Sequence, residues 1–324
     1  MDLAGMASPG MELPGMAVRL GINTCFAVKR WPRPEDWARI VRDDLGLDLV
    51  ELSLDLLAGF ESPEGRRLVA VENRAALDGA GLAAVGTFTG IAAYSGNLLM
   101  HPDPVARQAA LAWYEAVIDL TGALGLAGAG GHLGAMSAPD WRDPVTRAAR
   151  WADLKAALGV LSARARTAGL EHLLVENLVP VREPATMAQV ADLLTAGDPE
   201  HVPIGLCVDL GHMCVPGMSG IERDPYAWLA RFGTELIEVQ LQQSDAEGDH
   251  HWPFTPERNR EGRIEAGRVL DTLSAAGVRE VTLILEMIPG WEQPDDELRA
   301  DLVATADYWR SAIAARGHTL GARP

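Results

Sequence analysis

Cysteine is scarce: the 324 residues contain three, Cys25, Cys207 and Cys214, an odd number with no CxxC pair. That pattern excludes a disulfide framework and a structural zinc site of the usual spacing. Cys25 and Cys207 fall in apolar runs and read as small buried thiols of a reducing compartment. Basic side chains are also in deficit, 28 Lys and Arg against 45 Asp and Glu, a formal net charge of −17. Such a surface repels phosphate backbones, so no nucleic-acid partner is expected. No apolar stretch approaches the ~20 residues of a membrane span, so no membrane partner is expected either. The first residues, MDLAGMASPGMELPGM, lack a basic region and a continuous apolar core, and so do not form a secretory signal. Residues 1–16 read as a disordered tail, with Met16 an equally good start, and residues 17–324 as the catalytic domain of a cytoplasmic protein. A GxGxxG between a strand and a helix is missing, which counts against an open doubly wound sheet.

What is present is alternation. Short apolar runs at residues 18–23, 49–53, 83–88, 127–132, 173–176, 204–209, 236–241 and 281–286 alternate with helical patterns at 34–44, 63–79, 104–124, 144–168, from near 186, 225–232, 264–276 and 296–315. The fourth run, Ala-Gly-Ala-Gly-Gly-His, is Gly-rich and counts as a strand only through its place in the series. Strands separated by helices pair in parallel, because parallel pairing needs a crossover. Runs that are apolar at nearly every position suit strands covered on both faces. Eight strand–helix units over roughly 300 residues predict a single parallel (β/α)8 TIM barrel of the α/β class.

In such a barrel the active site lies at the C-terminal strand ends. Four late strands end in a metal-ligand type: Glu176, Asp209, Gln240 and Glu286. A carboxylate at the end of a buried strand must be paired, protonated or metal-bound. Any one of these acids could simply cap its own strand; recurring at corresponding places, they predict one shared divalent ion. Oxygen donors favour a hard ion, Mn2+ or Mg2+. His212 follows Asp209 by three residues, Asp249-His250-His251 occupies the loop after the seventh strand, and His132 ends the weak fourth run. His212, His251 and His132 are therefore candidates to face the site.

The segments Leu-Val-Glu-Asn (174–177), Cys-Val-Asp-Leu-Gly-His (207–212), Val-Gln-Leu-Gln-Gln-Ser-Asp (239–245) and Leu-Ile-Leu-Glu (283–286) resemble the xylose isomerase-like TIM-barrel superfamily, from about residue 18 to the end. That group holds sugar and sugar-phosphate isomerases and epimerases and the endonuclease IV repair enzymes. In its ketose epimerase branch, the resemblance implies one Mn2+ or similar ion on Glu176, Asp209, Gln240 and Glu286. Gln240 stands where many members have His, although hydroxypyruvate isomerase-like members also have Gln. The Asp209/His212 pair and Asp249-x-His251 are similar to endonuclease IV, which makes a zinc-dependent abasic-site phosphodiesterase the alternative. Its histidines on the third and seventh strands are replaced here by Thr87-Phe88-Thr89 and Gln240. The loops at 23–31 and 242–254 look like the tetrulose-4-phosphate (erythrulose 4-phosphate) epimerases of erythritol catabolism.

The chemistry this implies is metal-dependent proton abstraction next to the carbonyl of a small ketose or ketose phosphate, through a metal-stabilised enediolate. Glu176 and Glu286 are the catalytic acids: two faces give epimerisation, one face gives aldose–ketose isomerisation. His212, Asn177, His132, Asp245, His251 and Arg263 are expected on the substrate, Asn177 also orienting Glu176. A phosphate needs a basic partner, for which Lys29, Arg30, Arg258 and Arg263 are the loop candidates. Trp31 or Trp252 would wall off water. A barrel that binds sugar without catalysis is a third reading, opposed by the intact acids. Barrels of this kind often pair, so a homo-oligomer stays open although no patch in the sequence marks an interface.

Overall fold

The computed structural model describes residues 15–179 and 182–321. Most of the expected tail, residues 1–14, lies outside the described residues. Met16 is 2% exposed, and its carbonyl accepts a hydrogen bond from the Thr319 N–H at 3.2 Å.

Eight strands pair in parallel and in chain order: β1 (Ala17–Asn23), β2 (Leu49–Ser53), β3 (Ala83–Phe88), β4 (Gly128–Gly131), β5 (His172–Glu176), β6 (Ile204–Asp209), β7 (Leu236–Leu241) and β8 (Glu280–Leu285). β1 pairs with β8 on one side and β2 on the other, which closes the expected (β/α)8 barrel. A short strand absent from the sequence reading, β9 (Thr319–Leu320), pairs with Ala17 and Val18. It covers the start of β1, where β2 has not yet joined; the β1–β2 pairing begins only at Ile22.

The helices are α1 (Pro34–Arg39, continued by a π turn over Ile40–Asp44), α2 (Pro63–Ala80), α3 (Pro104–Leu124), α4 (Ala138–Arg142), α5 (Pro144–Ala168), α6 (Met187–Leu194), α7 (Pro225–Phe232), α8 (Pro256–Glu261), α9 (Ala266–Ala275) and α10 (Asp295–Ala315). Several start in the same way. Ser62, Asp103, Asp143 and Asp224 each accept an N–H of the first turn, and a proline follows at once. Proline's fixed φ and missing N–H cost nothing there. These starts all face the C-terminal ends of the strands, so the βα loops gather at one rim. The helix α8 falls between the seventh run and the helical pattern at 264–276, where no helix was expected. None of its residues is buried, so it leaves no apolar period to detect; its signals are the Thr255 cap and Pro256. Among the described residues no helix is long and apolar enough to cross a membrane.

The glycines of β4 have a packing cause. A Cβ built on Gly130 would lie 2.3 Å from Leu174 Cβ and 2.8 Å from the Leu174 carbonyl oxygen, and one on Gly128 would lie 2.2 Å from His172 Nε2. β4 therefore approaches β5 too closely for side chains, which is why its run lacks the apolar signature of its neighbours. Gly130→Val should cost about 2 kcal/mol or more through this overlap, read as a lower thermal midpoint; an unchanged midpoint would contradict the close approach.

Candidate active site

Glu176 ends β5, Asp209 ends β6, Gln240 lies one residue from the end of β7, and Glu286 follows β8. The strand period of two points all of them inward, and they are buried to 1%, 0%, 0% and 5% exposure. Register holds them level: Asp209 pairs with Gln240, and the Glu286 N–H donates to the Leu241 carbonyl at 2.9 Å. The structure thus brings the four expected residues to one end of the barrel. Beneath them lies a layer that the sequence reading missed. Glu51 Oε2 accepts from Asn23 Nδ2 at 2.7 Å and Gln240 Nε2 at 2.9 Å, and Glu238 sits against Glu51. Inward alternation on β2 and β7 was the available signal for it.

The Asp209 carboxylate is held by its own turn. Its Oδ1 accepts from the Gly211 N–H at 2.6 Å and the His212 N–H at 3.2 Å. Gln242 Nε2 donates to both Asp209 oxygens at 3.1 Å and to Asp249 Oδ1 at 2.7 Å. Gln242 cannot turn its amide over, because its Oε1 already accepts from the His251 N–H at 2.6 Å and the Ser244 hydroxyl at 2.8 Å. Asn177, expected on the substrate, is instead committed to the backbone of Asp209. Its Oδ1 accepts from the Asp209 N–H at 2.9 Å and its Nδ2 donates to the Asp209 carbonyl at 3.0 Å. It ties β5 to β6 and acts as a positioning residue.

Several polar atoms here are left over. Glu176 Oε1, Gln240 Oε1, Glu286 Oε2 and His251 Nδ1 are buried and have no hydrogen-bond partner. A buried acceptor without a donor costs on the order of 1–3 kcal/mol, and native structures rarely leave several together. Three of those atoms belong to residues expected to hold a cation, the fourth to His251, expected on the substrate, and Asp209 Oδ2 has Gln242 as its hydrogen-bond donor. Asp209, His212 and His251 also offer ligand atoms within 4.8 Å of one another. A divalent cation fits this donor set: hard oxygens from three acids and an amide, with imidazole beside them.

Titration behaviour follows from the crowding. Burial pushes the Glu176 carboxyl up to about 8, with the charge of His212 opposing the rise and that of Asp209 adding to it. Burial, then Asp209 and Glu176, holds Glu286 well above the carboxylate range. Burial alone would lower His212, but Asp209, Asp249 and Glu176 outweigh it and keep the imidazole well above its usual value. Its Nδ1 lies 2.8 Å from the Asn177 carbonyl and 3.2 Å from Glu176 Oε1, and its Nε2 lies 3.4 Å from Asp249 Oδ2. Asp249 is held well below its usual value: burial would raise it, but His212 and His251 prevail. His251 adopts φ 48°, an uncommon conformation for a residue with a side chain, and places Nδ1 3.5 Å from Glu286 Oε2.

Tyr94, from the loop after β3, donates to Glu176 Oε2 at 2.6 Å and stacks on His132 at 4.7 Å. Nothing in its loop, which has no strand or helix period, marked it. His132 is fully buried, and burial lowers it to about 4, so behind Tyr94 it is neutral near pH 7. A cavity of about 190 Å³ opens beside Glu286 and Asp249, lined also by Cys25, Thr89, Ile91, Tyr94 and His251 among others. Cys25, read as a core thiol, is buried and also faces this cavity. The remaining expected residues fall elsewhere. Asp245 pairs with His250 at 2.9 Å, and Arg263 lines a different cavity. Arg30 is tied to Asp295 and the Gly290 carbonyl, Lys29 sits 4.3 Å over Trp291, and Arg258 sits 4.1 Å over Trp252. Trp31 packs on Phe26, and Trp252 stacks on His250. Loop residues have no periodicity to fix their direction, which is why these placements were not readable.

The chain matches the xylose isomerase-like TIM barrel family over residues 34–309. It is 26% identical over 311 residues to the D-erythrulose 1-phosphate 3-epimerase of Brucella abortus (strain 2308), covering 92% of this chain and 97% of that protein. A crystal structure from Rhodospirillum rubrum ATCC 11170, provisionally named a xylose isomerase, superposes with a TM-score of 0.84 at 30% identity, covering 91% of this chain and 99% of the other. The D-psicose 3-epimerase of Clostridium cellulolyticum H10, solved with D-tagatose, shares the fold at a TM-score of 0.65 and 17% identity, covering 91% and 99%. The chain belongs to the xylose isomerase-like TIM-barrel family.

Proposed function

We propose that this protein is an epimerase of a small ketose phosphate, of the tetrulose phosphate class, that moves the proton on the carbon next to the carbonyl. The observation that carries the reading is the pair of buried glutamates with spare oxygens, Glu176 Oε1 and Glu286 Oε2, on strands separated by β6 and β7. Acids on two separated strands of one barrel mouth can serve opposite faces of a carbon: one removes a proton, the other returns one, and the centre inverts. The relative from Brucella abortus is named for inversion at carbon 3 of a tetrulose 1-phosphate. In a 2-ketose that carbon is next to the carbonyl, so its proton is the acidic one. The phosphate position therefore follows the relative, carbon 1, rather than carbon 4.

Glu176, Asp209, Gln240 and Glu286 would hold a divalent ion, with His212 and His251 beside it. The positive charge held there would favour the ionised form of the two glutamates and would polarise a substrate carbonyl. Tyr94 holds Glu176 through its hydroxyl, and Gln242 and Asn177 fix Asp209 from two sides. Ile91 and Ile288 give the cavity apolar walls that exclude water. The zinc phosphodiesterase alternative is less well supported: past the end of β3, Thr89 spends its hydroxyl on the His132 N–H at 2.7 Å and offers no zinc ligand.

The direct test supplies Mn2+ and D-erythrulose 1-phosphate, D-erythrulose 4-phosphate and a panel of C3 to C6 ketoses in deuterated water. Deuterium should appear on the carbon next to the carbonyl of a tetrulose phosphate; no incorporation into any substrate would overturn the reading. Glu176→Gln and Glu286→Gln should each lower that exchange by about 10²- to 10⁴-fold with an unchanged circular dichroism spectrum.

Metal binding should also release protons. Glu176 keeps its proton to about pH 8 when folded, against an ordinary 4.5. The folded chain thus binds this proton more tightly than the unfolded chain. The stability it contributes is complete below pH 4.5 and is lost as pH rises through about 8. An ion taking the carboxylate displaces that proton, so Mn2+ titration at pH 7 should release about one proton or more. Calorimetry in two buffers of different ionisation enthalpy measures this, and zero release would contradict it.

A further inference from the structure

A second cavity, of about 650 Å³, lies between the loops that follow β6 and β7, and Arg223, Arg263 and Arg268 line it together with Ser219, Gly220 and Tyr226. In a chain of net charge −17, guanidinium groups usually find carboxylates, as Arg66, Arg150 and Arg316 do here. Among the described residues none of the three lining arginines forms an ion pair, whereas Arg231 and Arg258, on the neighbouring helices α7 and α8, do. Arg223 reaches the Ala246 carbonyl through Nη2, but its Nε is buried with no partner. Arg268 lies 3.7 Å over the Tyr226 ring, which holds it in place without neutralising it. The Tyr226 hydroxyl donates to the Arg263 carbonyl at 2.8 Å and so braces the same wall. Asp224 also lines the cavity, but one of its oxygens is occupied by the Tyr226 N–H at 3.0 Å.

Arginines that line one cavity without carboxylate partners suit the oxygens of a phosphate, which accepts paired N–H donors from arginine. The cavity also adjoins the acid cluster through the chain. The Arg263 N–H donates to the Ser244 carbonyl at 2.9 Å, and the Ser244 hydroxyl donates to Gln242, the residue that holds Asp209. We propose that this arginine-lined cavity is a binding site for a phosphate group, carried by the substrate or free in solution. Only the assignment to the substrate rests on the ketose phosphate reading; the anion site itself does not.

The test titrates inorganic phosphate into the full chain at low ionic strength by calorimetry, with wild type, Arg263→Ala and the exposed Arg268→Ala. Saturable binding is expected, with Kd raised about tenfold in each variant, the loss of one charge-assisted contact; Arg263→Lys should recover part of it. Kinetics then separate the sources. A KM increase on the tetrulose phosphate but not on the free tetrulose assigns the site to the substrate's phosphate. Loss of phosphate binding with both KM values unchanged assigns it to a free phosphate ligand. No saturable phosphate binding in wild type, or wild-type affinity in both Ala variants, would overturn the proposal. Because binding is read without turnover, a failed epimerase assay leaves this result interpretable.

Discussion

Negative charge buried at the mouth of a barrel is the constraint on which the structure turns. Glu176, Asp209 and Glu286 converge there, with Glu51 and Glu238 in the layer below, and all are 5% exposed or less. Carboxylates in a poorly polarisable interior repel strongly and cannot all stay ionised uncompensated. The chain alone answers in three ways. It keeps protons on Glu176 and Glu286, it holds a charged imidazole at His212 between acids, and it points amide N–H groups from Gln240, Gln242 and Asn23 at carboxylate oxygens. Spare oxygens remain on Glu176, Gln240 and Glu286, and Asp209, His212 and His251 offer ligand atoms within 4.8 Å of one another, a grouping that could hold a metal ion. Asn177 and Tyr94 gain meaning from the same constraint, since each holds an acid in position.

The barrel was legible because its rules are periodic. Runs such as 204–209 and 236–241 are largely apolar, broken only by Asp209, Glu238 and Gln240, alternate with capped helices, and coincide with β6 and β7 as observed. β4 was faint because close approach to β5 required glycine in place of apolar side chains. The site's inner wall was legible for a related reason: strand-end acids stand out against aliphatic runs, and the strand period fixes which way they face. Its outer wall was not. Tyr94, Gln242 and Asp249 come from loops, where direction is set by local bonds such as that of Gln242 to the His251 N–H. The bonds of Asn177 to the Asp209 backbone were not legible, because a polar residue beside a strand-end acid looks the same in sequence whether it meets substrate or backbone.

Charge is also sorted in space. Acids gather inside the barrel, and unpaired arginines gather in the cavity between the β6 and β7 loops. A sugar phosphate has the complementary pattern, hydroxyls and a carbonyl at one end and a dianion at the other. A chain of hydrogen bonds through Ser244 and Gln242 links Arg263 to Asp209.

The measurement that bears most directly on this account is the anomalous scattering of crystals grown with Mn2+. The account predicts a single strong peak in contact with Glu176 Oε1, Asp209 Oδ2, Gln240 Oε1 and Glu286 Oε2. A peak elsewhere, or none at saturating Mn2+, would contradict it and leave the buried acids without their neutralising charge.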